Sequence, residues 1–353
     1  MKKLSLFLAL LIAAASILGA CSSKNEEKKP STGDDNKPKT DYKVAMVTDV
    51  GGVDDKSFNQ SAWEGLKKYG EENNLVEKEG FNFAESNDDS DYMPHLNSLT
   101  QAGFDLIFGI GFLMEEAIKQ IADENPEVNY SIVDMVVDKP NVASITFAEH
   151  EGSFLVGVVA AMQTKTNKVG FIGGVDMPLI HKFEEGFKAG VAAVDKDIEV
   201  EVTYTGAFDA PDKGKATASA MYNSNVDVIY HAAGGTGNGV FTEAKSLKEA
   251  DPSREIWVIG VDRDQAEEGK TKDGDNITLT SMIKKVGVAV KDVADKGKDG
   301  NFPGGQILTY DLKSDGVGIA PTQDNLSKEI LDKVEEFRQK IIDGEIEVPF
   351  ERK

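Results

Sequence analysis

The sequence predicts an α/β protein of two doubly wound lobes, each a parallel sheet wrapped by helices, facing each other across a cleft. Three observations carry that expectation. Short, nearly continuous apolar runs recur along the chain, and strands covered on both faces require such runs. Amphipathic stretches separate them, and strand–helix alternation implies parallel sheets with right-handed crossovers. The alternation occurs twice, and the 312 residues from 42 to 353 suit two lobes better than one.

The first series starts at "KVAMVT" (43–48) and continues through "FDLIFGIG" (104–111) and "NYSIVDM" (129–135). It fades near "NVASITF" (141–147). After its first strand, "FNQSAWEGLKKYG" places Phe58, Ala62 and Leu66 at i, i+4 and i+8, one face of a helix. The second series runs from "KVGFIGG" (168–174) through "VDVIYHAAG" (226–234) to "EIWVIGVD" (255–262), with Phe183, Phe187 and Val191 on one helical face. Four pieces follow: "NITLTSMIK" (276–284), a helix near 285–296, "GQILTYDL" (305–312) and an amphipathic helix near 323–343. They are too small for a third domain and are expected to return to the two lobes, joining them by several strands. The expected N-terminal lobe is 42–148 plus about 276–300, and the C-terminal lobe 149–264 plus about 304–350.

"MKKLSLFLALLIAAASILGAC" opens the chain with two lysines, a short apolar core and small residues before Cys21. That is a secretory signal, too short to span a membrane as a mature helix. Leu18-Gly19-Ala20-Cys21 resembles a bacterial lipobox. Cleavage before Cys21 would leave the cysteine carrying diacylglycerol and a further acyl group, enough for stable anchoring. An ordinary core cysteine is the plainer alternative, but Cys21 is the one cysteine in 353 residues. No thiol then remains for a disulfide or for catalysis. Residues 22–41 contain no apolar side chain and read as a disordered tether. Losing Lys2 and Lys3 with residues 1–20 takes the formal charge from −22 to −24. Such acidity argues against nucleic acid and against a basic membrane-facing surface.

Ligands bind at the carboxyl ends of parallel strands, where "DVGGVDDKSFNQ" (49–60) lies. It is no phosphate loop, because "GGVDDKSF" lacks the second glycine before lysine. Nor is it an EF-hand, because Asp49, Asp54 and Asp55 lack alternate spacing and a terminal glutamate. "GGTGNGVF" (234–241) fails the dinucleotide pattern at Val240. Ser281-Met282-Ile283-Lys284 matches SxxK without the motifs that complete such an acyltransfer site. His95, His150, His181 and His231 are scattered, which favours surface or structural roles. With 61 acids in the chain, carboxylate pairs carry no information. No catalytic constellation, metal site or cofactor site emerges. What remains is a gripping set. Asp49 ends a strand, Phe58 offers a flat apolar face, and Asn59 offers a donor and an acceptor. Phe58 could equally anchor its helix in the core, and Asp54, Asp55 and Ser57 could simply cap that helix.

"VTDVGGVDDKSFNQSAWEGL" (47–66) resembles the basic membrane protein family of bacterial lipoproteins, substrate-binding proteins of nucleoside ABC transporters with purine nucleoside receptors among them. "IFGIGFLMEEAI" (107–118), "YSIVDMVVD" (130–138), "VGFIGGVDMPLIHKFEEGFKAG" (169–190), "VIYHAAGGTGNGVF" (228–241), "VIGVDRDQ" (258–265) and "TSMIKK" (280–285) extend the likeness in order. The resemblance implies a fold like that of type I periplasmic binding proteins, with crossover strands between the lobes. It also implies a purine nucleoside ligand (guanosine, inosine or adenosine), a partner permease, and a monomer on the extracytoplasmic face of a bacterial membrane. Carried over by residue, it implies a base stacked between Phe58 and Tyr230, with polar contacts from Asn59 and from Asp134 or its competitor Asp138. Asp49, Asp262 and Lys284 would meet the ribose, with backbone help from Gly234 or Gly235. Set apart from the resemblance, Asp262 and Lys284 could instead be an interlobe ion pair without ligand. A surface sensor of the same fold, and a nucleoside-processing enzyme, are the competing functions. A neighbouring permease gene separates the first, and release of free base from guanosine the second.

Overall fold

The computed structural model describes residues 40–352. The signal segment 1–21, Cys21 itself and most of the tether lie outside the described residues. Two six-stranded sheets form, wrapped by α1 (Phe58–Glu72), α2 (Tyr92–Gln101), α3 (Glu115–Glu124), α4 (Glu149–Gln163), α5 (Pro178–Val194), α6 (Pro211–Asn223), α7 (Gly237–Ala250), α8 (Val286–Lys298) and α9 (Lys328–Ile342).

The first sheet has the order β11-β5-β4-β3-β1-β2, from β1 (Val44–Thr48), β2 (Phe81–Ala84), β3 (Leu106–Ile110), β4 (Asn129–Val133), β5 (Val142–Phe147) and β11 (Ile307–Tyr310). Every pairing in it is parallel. β1 and β3 are buried at every position, as their uninterrupted apolar sequences require. The second sheet has the order β12-β10-β9-β8-β6-β7, from β6 (Lys168–Gly173), β7 (Glu199–Tyr204), β8 (Val228–Ala232), β9 (Trp257–Asp262), β10 (Thr278–Lys284) and β12 (Val317–Ile319). Only β12 runs antiparallel to its neighbour.

The trailing pieces return to the lobes, but not as divided above. β10 was expected in the N-terminal lobe and lies in the second sheet, pairing with β9. β11 was expected in the C-terminal lobe and closes the first sheet beside β5. The physical reason is the crossover itself, for the chain changes lobe at each break. It crosses between β5 and α4 (Glu149–Gln163), between β10 and α8 (Val286–Lys298), and between β11 and β12. α8 packs back on α1 (Phe58–Glu72), where the backbones touch at Gly65 and Gly287. Hydrogen bonds tie the crossings together, Ala148 N to Tyr310 O at 2.9 Å and Lys285 N to Gly316 O at 2.9 Å. No helix among the described residues is long and apolar enough to cross a membrane.

Candidate functional site

Where the carboxyl ends of the two sheets face each other, the lobes enclose a cavity with about 570 Å³ of empty space, part of it open to solvent. The N-terminal lobe presents Asp49 and Gly51 beyond β1, Phe58 and Asn59 at the start of α1, Phe112 beyond β3 and Asp134 beyond β4. The C-terminal lobe presents Phe183 from α5 (Pro178–Val194), Phe208 beyond β7, Gly234 and Gly235 beyond β8, Asp262 ending β9 and Lys284 ending β10.

Asp55 organises the loop that opens the site. Its buried carboxylate accepts from the backbone of Ser57 at 2.8 Å, Asn59 at 2.9 Å and Gln60 at 3.1 Å, satisfying donors at the start of α1. The capping role therefore falls to Asp55, whereas Asp54 is exposed and Ser57 turns its hydroxyl across the cleft to Asp262. Asn59 donates to Asp49 at 2.6 Å and to Asp55 at 3.2 Å, leaving its own Oδ1 buried and without a partner. A side chain at Gly51 would collide with that amide, 2.8 Å away.

The acids differ in how they are held. Burial pushes the Asp49 carboxyl up to about 6, partly opposed by the Asn59 amide. Burial pushes Asp262 up to about 7 against the pull of Lys284 and the Ser57 hydroxyl. Asp134 and Asp262 end strands in different lobes, yet both adopt left-handed backbone, at φ 70 and φ 67. Such conformations in non-glycine residues concentrate at functional sites. Lys284 Nζ lies 2.6 Å from Asp134 Oδ2 and 3.2 Å from Glu149 Oε1. It also lies 5.1 Å from the Phe58 ring centre, 5.0 Å from Phe147 and 5.7 Å from Phe183. Burial pulls this ammonium down, but Asp134, Glu149 and Asp262 outweigh it and hold the group above the usual lysine range. Asp134 Oδ1 is left buried without a partner.

Of the residues expected at the site, Asp49, Phe58, Asn59, Asp134, Gly234, Gly235, Asp262 and Lys284 all line this cavity. Phe58 also packs against the core, so both of its readings apply. Asp138 is exposed, away from the cavity. Lys284 forms its close ion pairs with Asp134 and Glu149 rather than with Asp262.

Tyr230 is a correction. It is fully buried, its hydroxyl 3.0 Å from Ser153 and its ring between Phe171 and Phe187, with centroids at 5.6 and 5.2 Å. The β8 pleat turns it into the helix-covered core, and only the strand's last residue, Ala232, and those beyond reach the cavity. The aromatics that the C-terminal lobe places at the cavity are Phe183 and Phe208, and the Phe208 ring meets Phe112 of the other lobe edge-on at 6.2 Å. Sequence reasoning missed Phe112, Phe183 and Phe208. The available signal for Phe112 and Phe208 was positional, since each follows the carboxyl end of a strand, whereas Phe183 lies within α5. Ser281 of the SxxK match is buried and accepts from Gln265 N at 3.1 Å, a structural role.

Comparison with known proteins agrees with this architecture. Residues 42–352 match the model of a family described as "ABC transporter substrate-binding protein PnrA-like". The chain is 52% identical to a CD4+ T-cell-stimulating antigen of Listeria innocua, covering 98% of each protein. It is 48% identical to an ABC transporter nucleoside-binding protein of Lactococcus lactis, covering 97% of each. A solved solute-binding protein of an ABC transporter system from Aeropyrum pernix superposes with a TM-score of 0.77 at 29% identity, covering 88% of this chain and 94% of that one.

Proposed function

Because the chain belongs to the PnrA-like family of ABC transporter substrate-binding proteins, a family of binding proteins rather than enzymes, we propose that it captures purine nucleosides between its lobes. It hands them to the permease of the same importer while Cys21 anchors it by lipid to the extracytoplasmic face of the membrane. The observation that carries this reading is the pairing of aromatic faces with buried carboxylates in one cavity. A nucleoside is neutral, with a flat base and a hydroxylated sugar. Phe58 and Phe208 come from opposite lobes to flank the base, and stacking contributes about 1–3 kcal/mol per base. The unpartnered oxygens of Asn59 and Asp134 await donors such as those on a purine edge. Asp49 and Asp262 accept from ribose hydroxyls, and charged acceptors form the stronger hydrogen bonds. Lys284 balances the acids, since buried carboxylates alone would be costly. The nucleoside-binding relative from Lactococcus lactis supports the ligand class.

Calorimetry of the purified protein with guanosine, inosine and adenosine tests the reading. Saturable binding at a single site is expected, and no heat from any of the three would sink it. Cys21→Ser should release the protein from the detergent phase; a variant still acylated and membrane-bound would remove the anchor.

A further inference from the structure

The lobes also meet outside the cavity, and two of these contacts converge on one short stretch of backbone. Asp55–Lys56–Ser57 leads from β1 into α1, with Lys56 at φ 63. The carbonyl of Asp55 accepts from Asn238 Nδ2 at 3.1 Å, and that of Lys56 accepts from Gln265 Nε2 at 2.9 Å. Asn238 sits on α7 (Gly237–Ala250), in the glycine-rich "GGTGNGVF" segment, and Gln265 lies just beyond β9. Both belong to the C-terminal lobe, and neither lines the cavity.

Gln265 is seated with care. It is fully buried, its Oε1 accepts from Val261 N at 2.9 Å, and the same oxygen lies 3.1 Å from His231 Nε2. Val261 N can only donate and Lys56 O can only accept, which fixes the orientation of the amide. His231 must then carry its proton on Nε2, leaving Nδ1 a bare lone pair that indeed has no partner. Burial pushes the imidazole down to about 4, so it stays neutral around pH 7. Two glycines make the room: a Cβ at Gly260 would stand 2.4 Å from Gln265 Oε1, and one at Gly237 would stand 2.1 Å from the His231 ring.

We propose that Asn238 and Gln265, the latter seated by His231, are closure residues that grip the N-terminal lobe's ligand-facing loop and so set how long a bound ligand is held, without touching it. The inference rests on the cavity being the nucleoside site. Both side chains read main-chain carbonyls, so their grip is indifferent to ligand identity. Opening the lobes strips two part-buried carbonyls and two amide NH2 groups of these partners, which slows dissociation. Association starts from the open form, where the contacts do not exist, and is left alone.

The test compares Asn238→Ala and Gln265→Leu with the unaltered full chain, using guanosine as probe and stopped-flow fluorescence of Trp63 and Trp257. Dissociation should accelerate about tenfold in each variant, the loss of one net hydrogen bond, with association changed less than about twofold. Gln265→Leu strands Val261 N and can loosen the second lobe; Asn238→Ala, half-buried on a helix, should keep the melting temperature of the ligand-free protein. Unchanged dissociation in Asn238→Ala, or an equal loss in association, overturns the proposal. If guanosine fails to bind the unaltered protein, the nucleoside reading falls instead. Because the ligand-free lobes also close transiently, hydrogen exchange over residues 53–58 of the ligand-free proteins then decides: faster exchange in both variants upholds the grip, and identical exchange overturns it.

Discussion

Two aromatic residues of the second lobe have different surroundings. Phe208 stands at the cavity against Phe112, while Tyr230 is buried between Phe171 and Phe187 with its hydroxyl on Ser153. Phe208→Ala should therefore weaken guanosine binding by about 1–3 kcal/mol in calorimetry. Tyr230→Phe should cost about 1 kcal/mol of stability through the lost hydrogen bond and leave affinity unchanged. The reverse pattern would return Tyr230 to the site. The buried acids make a second residue-scale prediction. Asp49 and Asp262 hold their protons up to about 6 and about 7, chiefly through burial. The folded state thus binds these protons more tightly than the unfolded chain does. Their contribution to stability is full near the ordinary carboxylate range and is lost as pH rises through those values. Asp262→Asn removes one share of that loss and keeps an acceptor for the Ser57 hydroxyl. The melting temperature of the ligand-free variant, relative to the unaltered protein, should rise between about pH 4 and about pH 7 and level off above that. A difference that stays flat across the range would mean that Asp262 titrates normally.

Elements buried on both faces were legible, and of the four edge strands only β11, within "GQILTYDL", was. β1, β3, β4, β6, β8 and β9 all appear as apolar runs because the interior of a parallel sheet admits little else. β7 reads "EVEVTY" and β2 reads "FNFA"; both are edge strands with little full burial, so polar residues break the signal. β12, with three residues, carries no period at all. The same logic explains the site. Asp49, Asp134 and Asp262 announce themselves as polar residues closing apolar strands. Phe208 lies in an irregular loop, where no periodicity points anywhere, and Tyr230 took its place because an aromatic near a strand end looks alike whichever way the pleat turns it. Helix packing adds an effect that periodicity could not show. α1 and α8 approach so closely that a Cβ at Gly65 would stand 2.0 Å from the Gly287 carbonyl, whereas one at Gly318 would meet nothing within 4 Å. Gly65→Ala should destabilise the protein by about 1–3 kcal/mol in denaturant unfolding through overpacking of backbone that cannot yield. Gly318→Ala should stay within about 0.5 kcal/mol. Equal effects would show that α8 can slide on α1.

At the scale of the whole molecule, charge selects the ligand as much as shape does. The chain carries a formal net charge of −22, and its cavity gathers Asp49, Asp55, Asp134 and Asp262 around the single lysine Lys284. Burial raises all four acids, Asp49 to about 6 and Asp262 to about 7, so a neutral ligand can enter without stranding a full set of charges. An anion cannot, because a phosphate would bring like charge toward buried carboxylates, and Lys284 is already committed to Asp134 and Glu149. A nucleoside should raise the melting temperature by mass action, with the shift growing as its concentration exceeds the dissociation constant. Guanosine monophosphate should give no shift at the same concentration. Guanine should bind more weakly than guanosine, by about 1–3 kcal/mol for each ribose hydroxyl whose buried acceptor is left unpaired. Deoxyguanosine should fall between them. Thermal melts with the four compounds at matched concentrations read the whole order in one series. A monophosphate that stabilises as well as guanosine would mean that Lys284 leaves its carboxylates for the ligand. Equal shifts from guanine and guanosine would remove Asp49 and Asp262 from the sugar and leave the aromatic faces to hold the base alone.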